Sequence, residues 1–451
     1  MDLSQRHILV VGLGATGRSG IAWLRARGAR VRAVDSREHP PALDDVRADH
    51  PEVDLRVGGL EASALAGIDG LLVSPGVDLR EPLLVAARER GLSLDGDIEW
   101  FARAVHEAPA RPAGSLPQVI AITGSNGKST VTALVADMAC AGGRRVAVGG
   151  NFGTPALDLL ADGIDCYVLE LSSFQLELCR SLRPTAATVL NISADHMDRH
   201  GSLEHYAHLK ARIFDGAQTA VVNADDPHVA DLGGHTPRRL RFGTDAGCEY
   251  RLVDQEGVRW LEARGQALLS AEALRLRGDH NLLNALAALA LADAVELDRD
   301  ASLEALKTFS GLPHRCQFVA RVADVDWVND SKGTNVGAML ASLQGLPGPI
   351  VLLAGGQAKG GDFTPIGPIM RDKGRAAVLF GEDAGVIRRA LDAATPVIEA
   401  GDFPQAIDAA RSAARPGDTV LLSPGCASFD MFRDYRDRGD QFAAAVMEMA
   451  A

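Results

Sequence analysis

One short stretch limits what this chain can fold into. Residues 121–132 read Ala-Ile-Thr-Gly-Ser-Asn-Gly-Lys-Ser-Thr-Val-Thr. Before them Gln118–Thr123 is the β-branched run of a buried strand, and the spacing after them predicts a helix over Val131–Ala141. Gly124 and Gly127 let the backbone between them curl, with Ser125 and Asn126 in the loop, so that N–H groups point inward at a polyphosphate. Lys128 adds a point charge for the β- and γ-phosphates, and Ser129 or Thr130 a hydroxyl for Mg²⁺. The helix N-terminus contributes partial positive charge. The spacing departs from G-x-x-x-x-G-K-[ST], because Ile122 stands five residues before Gly127. The competing reading is a Gly-rich turn with an exposed lysine; strand, loop and helix in this order favour a phosphate site.

Strand–helix alternation extends over the whole chain and implies an α/β protein with parallel sheets. A length of 451 residues exceeds one core and predicts about three domains. The first, residues 1–112, is Rossmann-like: strands at His7–Val11, Arg30–Asp35 and Leu71–Ser74, with helices from Thr16 and over Glu81–Arg90. It ends in a Pro/Gly/Ala linker, Ala108–Pro117. The second, 113–311, opens with the phosphate loop and continues through strands near Tyr167–Leu171, Ala187–Leu190 and Ala220–Asn223. A patch of short strands and an Ala/Leu helix over His280–Val295 close it. Gly311–Arg315 marks the next boundary. The third, 312–451, alternates again, with strands at Asp326–Asn329, Ile350–Ala354, Ala376–Phe380 and Thr419–Ser423. Helices over Thr334–Leu343 and Phe403–Ala414 separate them, so this domain too is Rossmann-like.

Charge and cysteine usage exclude whole classes of function. A net charge of −13 argues against a general nucleic-acid or anionic-membrane binder, so an anionic ligand must meet a local cationic cluster. The six cysteines are scattered without a C-x-x-C, the usage of thiols in a reducing cytoplasm. No uncharged apolar run reaches the ~18–20 residues of a membrane span. The apolar start runs straight into a Gly-rich turn without a cleavage site, as a strand does and a signal peptide does not. A soluble cytoplasmic enzyme is expected.

The first domain carries Gly12-Leu-Gly14-Ala15-Thr16-Gly17 after a strand, with Asp35 ending the next one. That is the dinucleotide fingerprint, which alone favours a nicotinamide enzyme. The same glycines serve any nucleotide diphosphate, because they report backbone approach to phosphate. Ser74-Pro-Gly at another strand end reaches the same crevice. In the second domain, Glu170 ends an apolar strand beside the phosphate loop, where an ATPase holds Mg²⁺ or orients water. His196, flanked by Asp195 and Asp198, is a candidate metal ligand. Lys210, in a helix over Ser202–Phe214, reads as a solvated lysine pairing with Glu204 or Asp215.

Taken together these segments resemble the Mur ligases, the ATP-dependent amide-forming enzymes of peptidoglycan precursor synthesis. The motifs are Thr-Gly-Ser-Asn-Gly-Lys-Ser-Thr, Glu-Leu-Ser-Ser-Phe-Gln-Leu, Asp-His-Met-Asp-Arg, His-Asn-x-x-Asn-Ala, Leu-Pro-His-Arg and Asn-Asp-Ser-Lys, in register over nearly the whole chain. The resemblance implies the substrates UDP-N-acetylmuramoyl-L-alanine and D-glutamate, with ATP and two Mg²⁺, in a monomer. It places Gly14, Ala15, Thr16, Gly17, Asp35, Ser36, Arg37 and Ser74 at the uridine diphosphate, and Asn151 and Ser172 at the muramoyl part. Gly124–Thr130 would hold ATP phosphates, Asn281 and Asn284 the adenine side, Arg315 the γ-phosphate and Asp330 the ribose. Ser129, Glu170 and His196 resemble metal ligands. Lys210 matches a lysine that the family carbamylates with CO₂, which replaces the solvated-lysine reading. Lys332 falls in the cleft, and Thr334, Lys359, Ser428 and Tyr435 resemble the pocket for the incoming glutamate.

Three positions depart from the family pattern. Gly333 follows Asn-Asp-Ser-Lys where alanine is usual, Gly425 replaces the alanine of Ser-Pro-Ala-Cys-Ala-Ser, and Tyr435 replaces a phenylalanine beside the amino-acid substrate. The first two should preserve backbone geometry, and the third alters one wall of the glutamate pocket. A folate polyglutamate ligase shares the central ATPase design but has no call for a dinucleotide-like first domain. A nicotinamide oxidoreductase and a non-catalytic nucleotide sensor are the alternatives of other classes.

Overall fold

The computed structural model describes residues 2–107, 116–276, 278–391 and 393–450. Most of the linker expected at Ala108–Pro117, and with it the boundary at 112, lies outside the described residues, as does the side chain of Asp198. Three sheets organise the described residues. The first has strands β1 (His7–Val11), β2 (Arg30–Asp35), β3 (Asp54–Val57), β4 (Gly70–Val73) and β5 (Ser93–Asp95), all parallel, in the order β3-β2-β1-β4-β5. The order reverses beside β1, so the Gly-rich turn after it opens into the crevice where ligands of such sheets bind.

The second sheet has nine strands: β6 (Gln118–Thr123), β7 (Val146–Gly150), β8 (Cys166–Glu170), β9 (Ala186–Val189), β10 (Thr219–Asn223), β11 (Arg238–Gly243), β12 (Tyr250–Gln255), β13 (Val258–Ala263) and β14 (Gln266–Ser270). β6 lies between β8 and β9, so the phosphate loop emerges at mid-sheet beside the ends of two neighbours. The patch of short strands is an antiparallel extension, β12-β13-β14, on the edge. The helix Asp279–Ala294 is apolar almost all round and is buried accordingly, in one core with the helix Lys128–Ala141.

The third sheet has β15 (Gln317–Val322), β16 (Val325–Asn329), β17 (Ile350–Gly355), β18 (Gly374–Phe380), β19 (Val397–Glu399) and β20 (Thr419–Leu422), in the order β15-β16-β20-β17-β18-β19. Only β15 is antiparallel, pairing with β16 as a hairpin.

Two helix starts differ from the sequence expectation, for capping reasons. The helix expected from Val131 begins at Lys128, with Gly127 as its N-cap at φ +83°. The helix expected from Thr334 begins at Val336, because the Asn335 side chain accepts the Ala338 N–H and caps it. Thr334 therefore lies in the preceding loop.

Candidate active site

The phosphate loop is drawn tight by its own contacts. A side chain at Gly127 would meet Asn284 Oδ1 at 2.5 Å, so the left-handed turn and the adjacent helix both require glycine there. Lys128 Nζ donates to the Gly124 and Ser125 carbonyls, each at 2.9 Å, and holds the loop in a ring. Asn191 Oδ1 accepts the Asn126 N–H at 2.8 Å and fixes the loop tip. Burial pushes the Lys128 ammonium below its ordinary range, with Glu170 pulling back the other way.

The three domains do not contribute equally to the central site. Ser129 Oγ donates to Glu170 Oε2 at 2.5 Å and accepts from Arg315 Nη2 at 2.6 Å. Glu170 Oε1 accepts from Asn151 Nδ2 at 2.7 Å. The strand-end acid and the third domain thus meet at one hydroxyl of the phosphate loop, and the β7 loop holds the acid from its other oxygen. Of the two hydroxyls the sequence left open, Ser129 is the one beside Glu170, while Thr130 lines the neighbouring cavity. Arg315 projects from a turn in which His314 and Cys316 both lie at positive φ, 63° and 46°. Asp330 anchors that turn by accepting the Cys316 N–H at 3.2 Å, and Asn329 bonds the His314 ring at 3.1 Å. The motif Asn-Asp-Ser-Lys therefore braces the motif Leu-Pro-His-Arg.

Lys210 is not on a solvated helix face. It is 1% exposed, and its Nζ donates to Gly124 O at 2.9 Å and Thr123 Oγ1 at 3.2 Å, underneath the phosphate loop. Burial, then Lys128, drives its ammonium well below the ordinary range. Neither Glu204 nor Asp215 is its partner, because the helix turns this residue toward the sheet rather than toward water. His196 is half-exposed at φ +54°, edge-on to Phe174 with ring centroids 5.3 Å apart. Among the described residues no three His, Cys, Asp or Glu side chains converge as a metal cluster.

A cavity of about 340 Å³ lies between the second and third domains. Asn281 and Asn284 line it from one side, with Arg315, Asp330 and Lys332 on the other. Asp330 faces it with its carboxylate already engaged, since Ser342 and Ser423 both donate to Oδ2, at 2.7 and 2.8 Å. Burial pushes the Asp330 carboxyl up to about 6 against those bonds. Lys332 Nζ sits 4.0 Å from the Tyr435 ring centroid, and burial, then Arg315 and Lys128, bring it down to about 8. Lys359 and Ser428 lie on adjoining loops joined by the Gln357–Ala427 bridge, with Lys359 at φ +50°.

The first domain's crevice, about 650 Å³, is lined by Gly14, Ala15, Thr16, Asp35, Ser36, Arg37 and Ser74, and from the second domain by Asn151 and Gln175. Asp35 is more strut than surface: it accepts the Leu13 N–H at 2.7 Å and holds Arg37 Nη2 at 2.7 Å. Burial opposes its charge, but Arg37 and the Leu13 N–H outweigh that and hold the carboxyl at about 2. Gly17 backs onto the Gly12 carbonyl instead of the crevice. Ser172, expected at the muramoyl part, is spent capping the helix Ser173–Glu177 in a reciprocal pair with Gln175. Gln175 takes the place on the wall. It stood in the motif Glu-Leu-Ser-Ser-Phe-Gln but carried no charge to single it out; Asn191 and His280, which line the cavity between the second and third domains, also carried no such signal in the sequence.

The two glycines that depart from the family pattern touch each other. The Gly425 N–H donates to Gly333 O at 2.8 Å. Gly425 has φ +65°, and a side chain at Gly333 would meet Asp330 Oδ2 at 2.6 Å. Gly425 thus lies in a left-handed conformation that disfavours alanine and suits glycine.

Family models match all three parts: the Mur ligase MurD-like N-terminal domain over residues 6–96, the Mur ligase middle domain over 122–292, and the Mur ligase glutamate ligase domain over 314–426. The chain is 49% identical to the UDP-N-acetylmuramoylalanine--D-glutamate ligase of Nitrosococcus oceani, over 98% of this chain and 96% of that one. It is also 49% identical to the protein of that name from Pseudomonas aeruginosa, over 99% of both. Among solved structures it resembles the UDP-N-acetylmuramate-alanine ligase of Thermotoga maritima, with TM-score 0.61, 20% identity and coverage of 98% and 99%. MurF from Acinetobacter baumannii gives TM-score 0.62 at 18% identity, covering 99% and 93%. At those identities the structural likeness is one of fold.

Proposed function

The chain belongs to the Mur ligase family, and from that premise we propose that it joins D-glutamate to UDP-N-acetylmuramoyl-L-alanine, consuming ATP, in peptidoglycan precursor synthesis. The observation that carries the reading is the convergence of Glu170 and Arg315 on the Ser129 hydroxyl, at the mouth of a cavity shared by two domains. The names of the half-identical relatives support the choice of substrates. The MurD-like match over the first domain favours this reading over the nicotinamide and folate alternatives.

A carboxylate is a poor electrophile, and amide formation in water is uphill at low reactant concentration. Phosphorylating the L-alanyl carboxylate gives an acyl phosphate with a good leaving group, which the glutamate amine then attacks. Lys128 and the loop N–H groups cradle the phosphates, and Arg315 neutralises charge developing on the transferred group. Asn281 and Asn284 face the base, and Asp330 the ribose side. Lys332, beside Tyr435, stands where the tetrahedral intermediate's charge needs compensation. Thr334, Lys359, Ser428 and Tyr435 form the glutamate pocket. Closure of the third domain on the second excludes water that would hydrolyse the acyl phosphate.

Ser129 and Glu170 are hard oxygen donors beside the phosphate site, and Mg²⁺ needs only one or two such groups besides phosphates and water. They fit one ion, with His196 and a carbamylated Lys210 as ligands of a second. The ions would supply charge neutralisation for phosphoryl transfer. CO₂ reacts only with an uncharged amine, and burial beside Lys128 shifts Lys210 toward that form; a carbamate there also relieves the like-charge contact. The domain limits 1–112, 113–311 and 312–451, a monomeric state and a cytoplasmic location belong to the same reading. Among the described residues no helix is long and apolar enough to cross a membrane.

Phosphate release from ATP tests the proposal. Release should require UDP-N-acetylmuramoyl-L-alanine together with D-glutamate, and L-glutamate should not substitute. Lys210→Ala should be nearly inactive and partly rescued by acetate, while Lys210→Arg stays dead because its guanidinium fills the space. Full activity of Lys210→Ala without additive would remove the carbamate from the account.

A further inference from the structure

The segment from 95 to 99 carries three acids into the contact between the first and second domains, and they are treated differently. Asp95, fully buried, is paired with Arg180 and with Arg103 at 3.0 Å. Glu99 binds Arg103 at 2.9 Å and accepts the Arg180 and Ser181 N–H groups at 2.7 and 2.9 Å. Asp97, 1% exposed between them, has no cationic partner among the described residues. Its Oδ1 is buried without a hydrogen bond, and its Oδ2 accepts one from Gln175 Nε2 at 3.0 Å, across the domain boundary. A half-satisfied carboxylate removed from water is a net cost to stability, so its presence is not explained by holding the interface together.

What it does hold is Gln175. The amide oxygen accepts from Ser172 N and Oγ, at 3.1 and 3.2 Å, and the amide nitrogen faces Asp97. With an acceptor-only group on one side and an N–H on the other, the amide has one allowed orientation. It leaves the second Nε2 hydrogen for the crevice that Gln175 lines beside Asn151 and Thr16. We propose that Asp97 is a positioning residue for the UDP-muramoyl substrate, setting the Gln175 amide from the opposite domain so that an N–H is presented to an oxygen of the ligand. This rests on the substrate reading of the crevice given above. Gln175 is the residue that touches substrate; Asp97 acts only through it.

The test is a double-mutant cycle on steady-state kinetics of the full chain. Asp97→Ala should raise KM for UDP-N-acetylmuramoyl-L-alanine about tenfold, the loss expected of one hydrogen bond to a charged group. Values of kcat and the KM for ATP and D-glutamate should move less than about twofold, since no hydrogen bond joins Asp97 or Gln175 to Ser129, Glu170 or Arg315 among the described residues. Gln175→Ala should give at least the same rise, and the double variant no more than Gln175→Ala alone, because the two residues act in series. Asp97→Asn keeps an acceptor and should stay within about threefold of the parent. Asp97→Ser, which retains a polar group at the helix start but withdraws the oxygen from Gln175, carries the test if Asp97→Ala does not fold. Glu99→Gln weakens the same interface without touching Gln175; it should lower Tm and leave the muramoyl KM alone. Additive effects of Asp97→Ala and Gln175→Ala, unchanged KM in Asp97→Ala and Asp97→Ser, or an equal KM rise in Glu99→Gln each overturn the proposal while the parent still turns over the muramoyl substrate. A parent without that turnover overturns the substrate reading and this inference with it.

Discussion

The second domain meets its two neighbours in opposite ways. Against the first domain it shares one apolar core: Trp23, Ile98 and Phe101 are continuous with Leu157, Tyr167 and Leu176. Phe101 and Tyr167 stand edge to face at 5.1 Å across that boundary. The rim is closed by Ser19 to Asp158 at 2.6 Å and by the Asp95, Glu99 and Arg180 network. Against the third domain the cores are separate. The contacts there are polar and sparse: Arg315 to Ser129 at 2.6 Å, Asn335 to Asp195 at 3.5 Å, and glycines 337 and 345 packed against Ser193 and His280. Buried apolar area is what resists separation, whereas polar contacts exchange readily for water. The first boundary is therefore built as a fixed joint and the second as one whose contacts part at lower cost.

Four experiments sharpen or break that contrast. Phe101→Ala should have the largest effect, costing ~3–5 kcal/mol of stability by opening a cavity at the fixed joint. Turnover per folded molecule should change little, and denaturant unfolding beside active-site titration separates the two. A large fall in kcat with unchanged stability would reverse the assignment of roles. Arg315→Ala should show the converse, a loss of ~10²–10³ in phosphate release from one missing charge contact, with an unchanged unfolding midpoint. Loss of stability with retained turnover would show the second joint to be structural after all.

The third experiment uses pH. Asp330, beside the boundary between the second and third domains, has its carboxyl raised by burial to about 6 from an ordinary 3.8. The folded state thus keeps a proton that the unfolded chain gives up. The associated stability is fully present below about 3.8 and is lost as pH rises through about 6. The stability of Asp330→Asn relative to the parent should therefore improve by roughly 1–3 kcal/mol between pH 4 and pH 7. Unfolding free energies measured across that range decide it, and a flat difference would remove the buried charge from the account. The smallest effect is expected for Gly425→Ala, at ~1–2 kcal/mol for a side chain in left-handed backbone. Gly333→Ala crowds Asp330 at the same hydrogen-bonded pair, so the two losses should not add.

Much of the site was legible because charge and glycine are loud in a sequence. Lys128 and Glu170 stand where residue type and spacing point to phosphate and metal chemistry, while Arg315 and Lys332 were placed by the family resemblance; Glu170 and Arg315 meet at Ser129, and Arg315 and Lys332 line one cavity. Quiet residues were missed. Gln175 and Asn191 are neutral amides, and only the direction of their hydrogen bonds reveals what they fix.

By itself the sequence determined the layering: apolar β-branched runs alternating with helical spacing demand parallel sheets, and the glycines at 124 and 127 demand a loop that turns its N–H groups inward. Those are local consequences of backbone sterics and side-chain period, and they hold wherever the segment sits. Tertiary structure alone decided which polar groups are dry. Lys210 lies on a helix whose pattern permits a solvated lysine, yet packing under the phosphate loop leaves it 1% exposed and strips its ammonium of water. Asp35, expected at the uridine diphosphate, lines the crevice with its carboxylate already engaged by Leu13 and Arg37, and Ser172, expected at the muramoyl part, caps a helix. Burial and hydrogen-bond partners are properties of distant segments brought together, and they decide the charge, orientation and availability of each side chain.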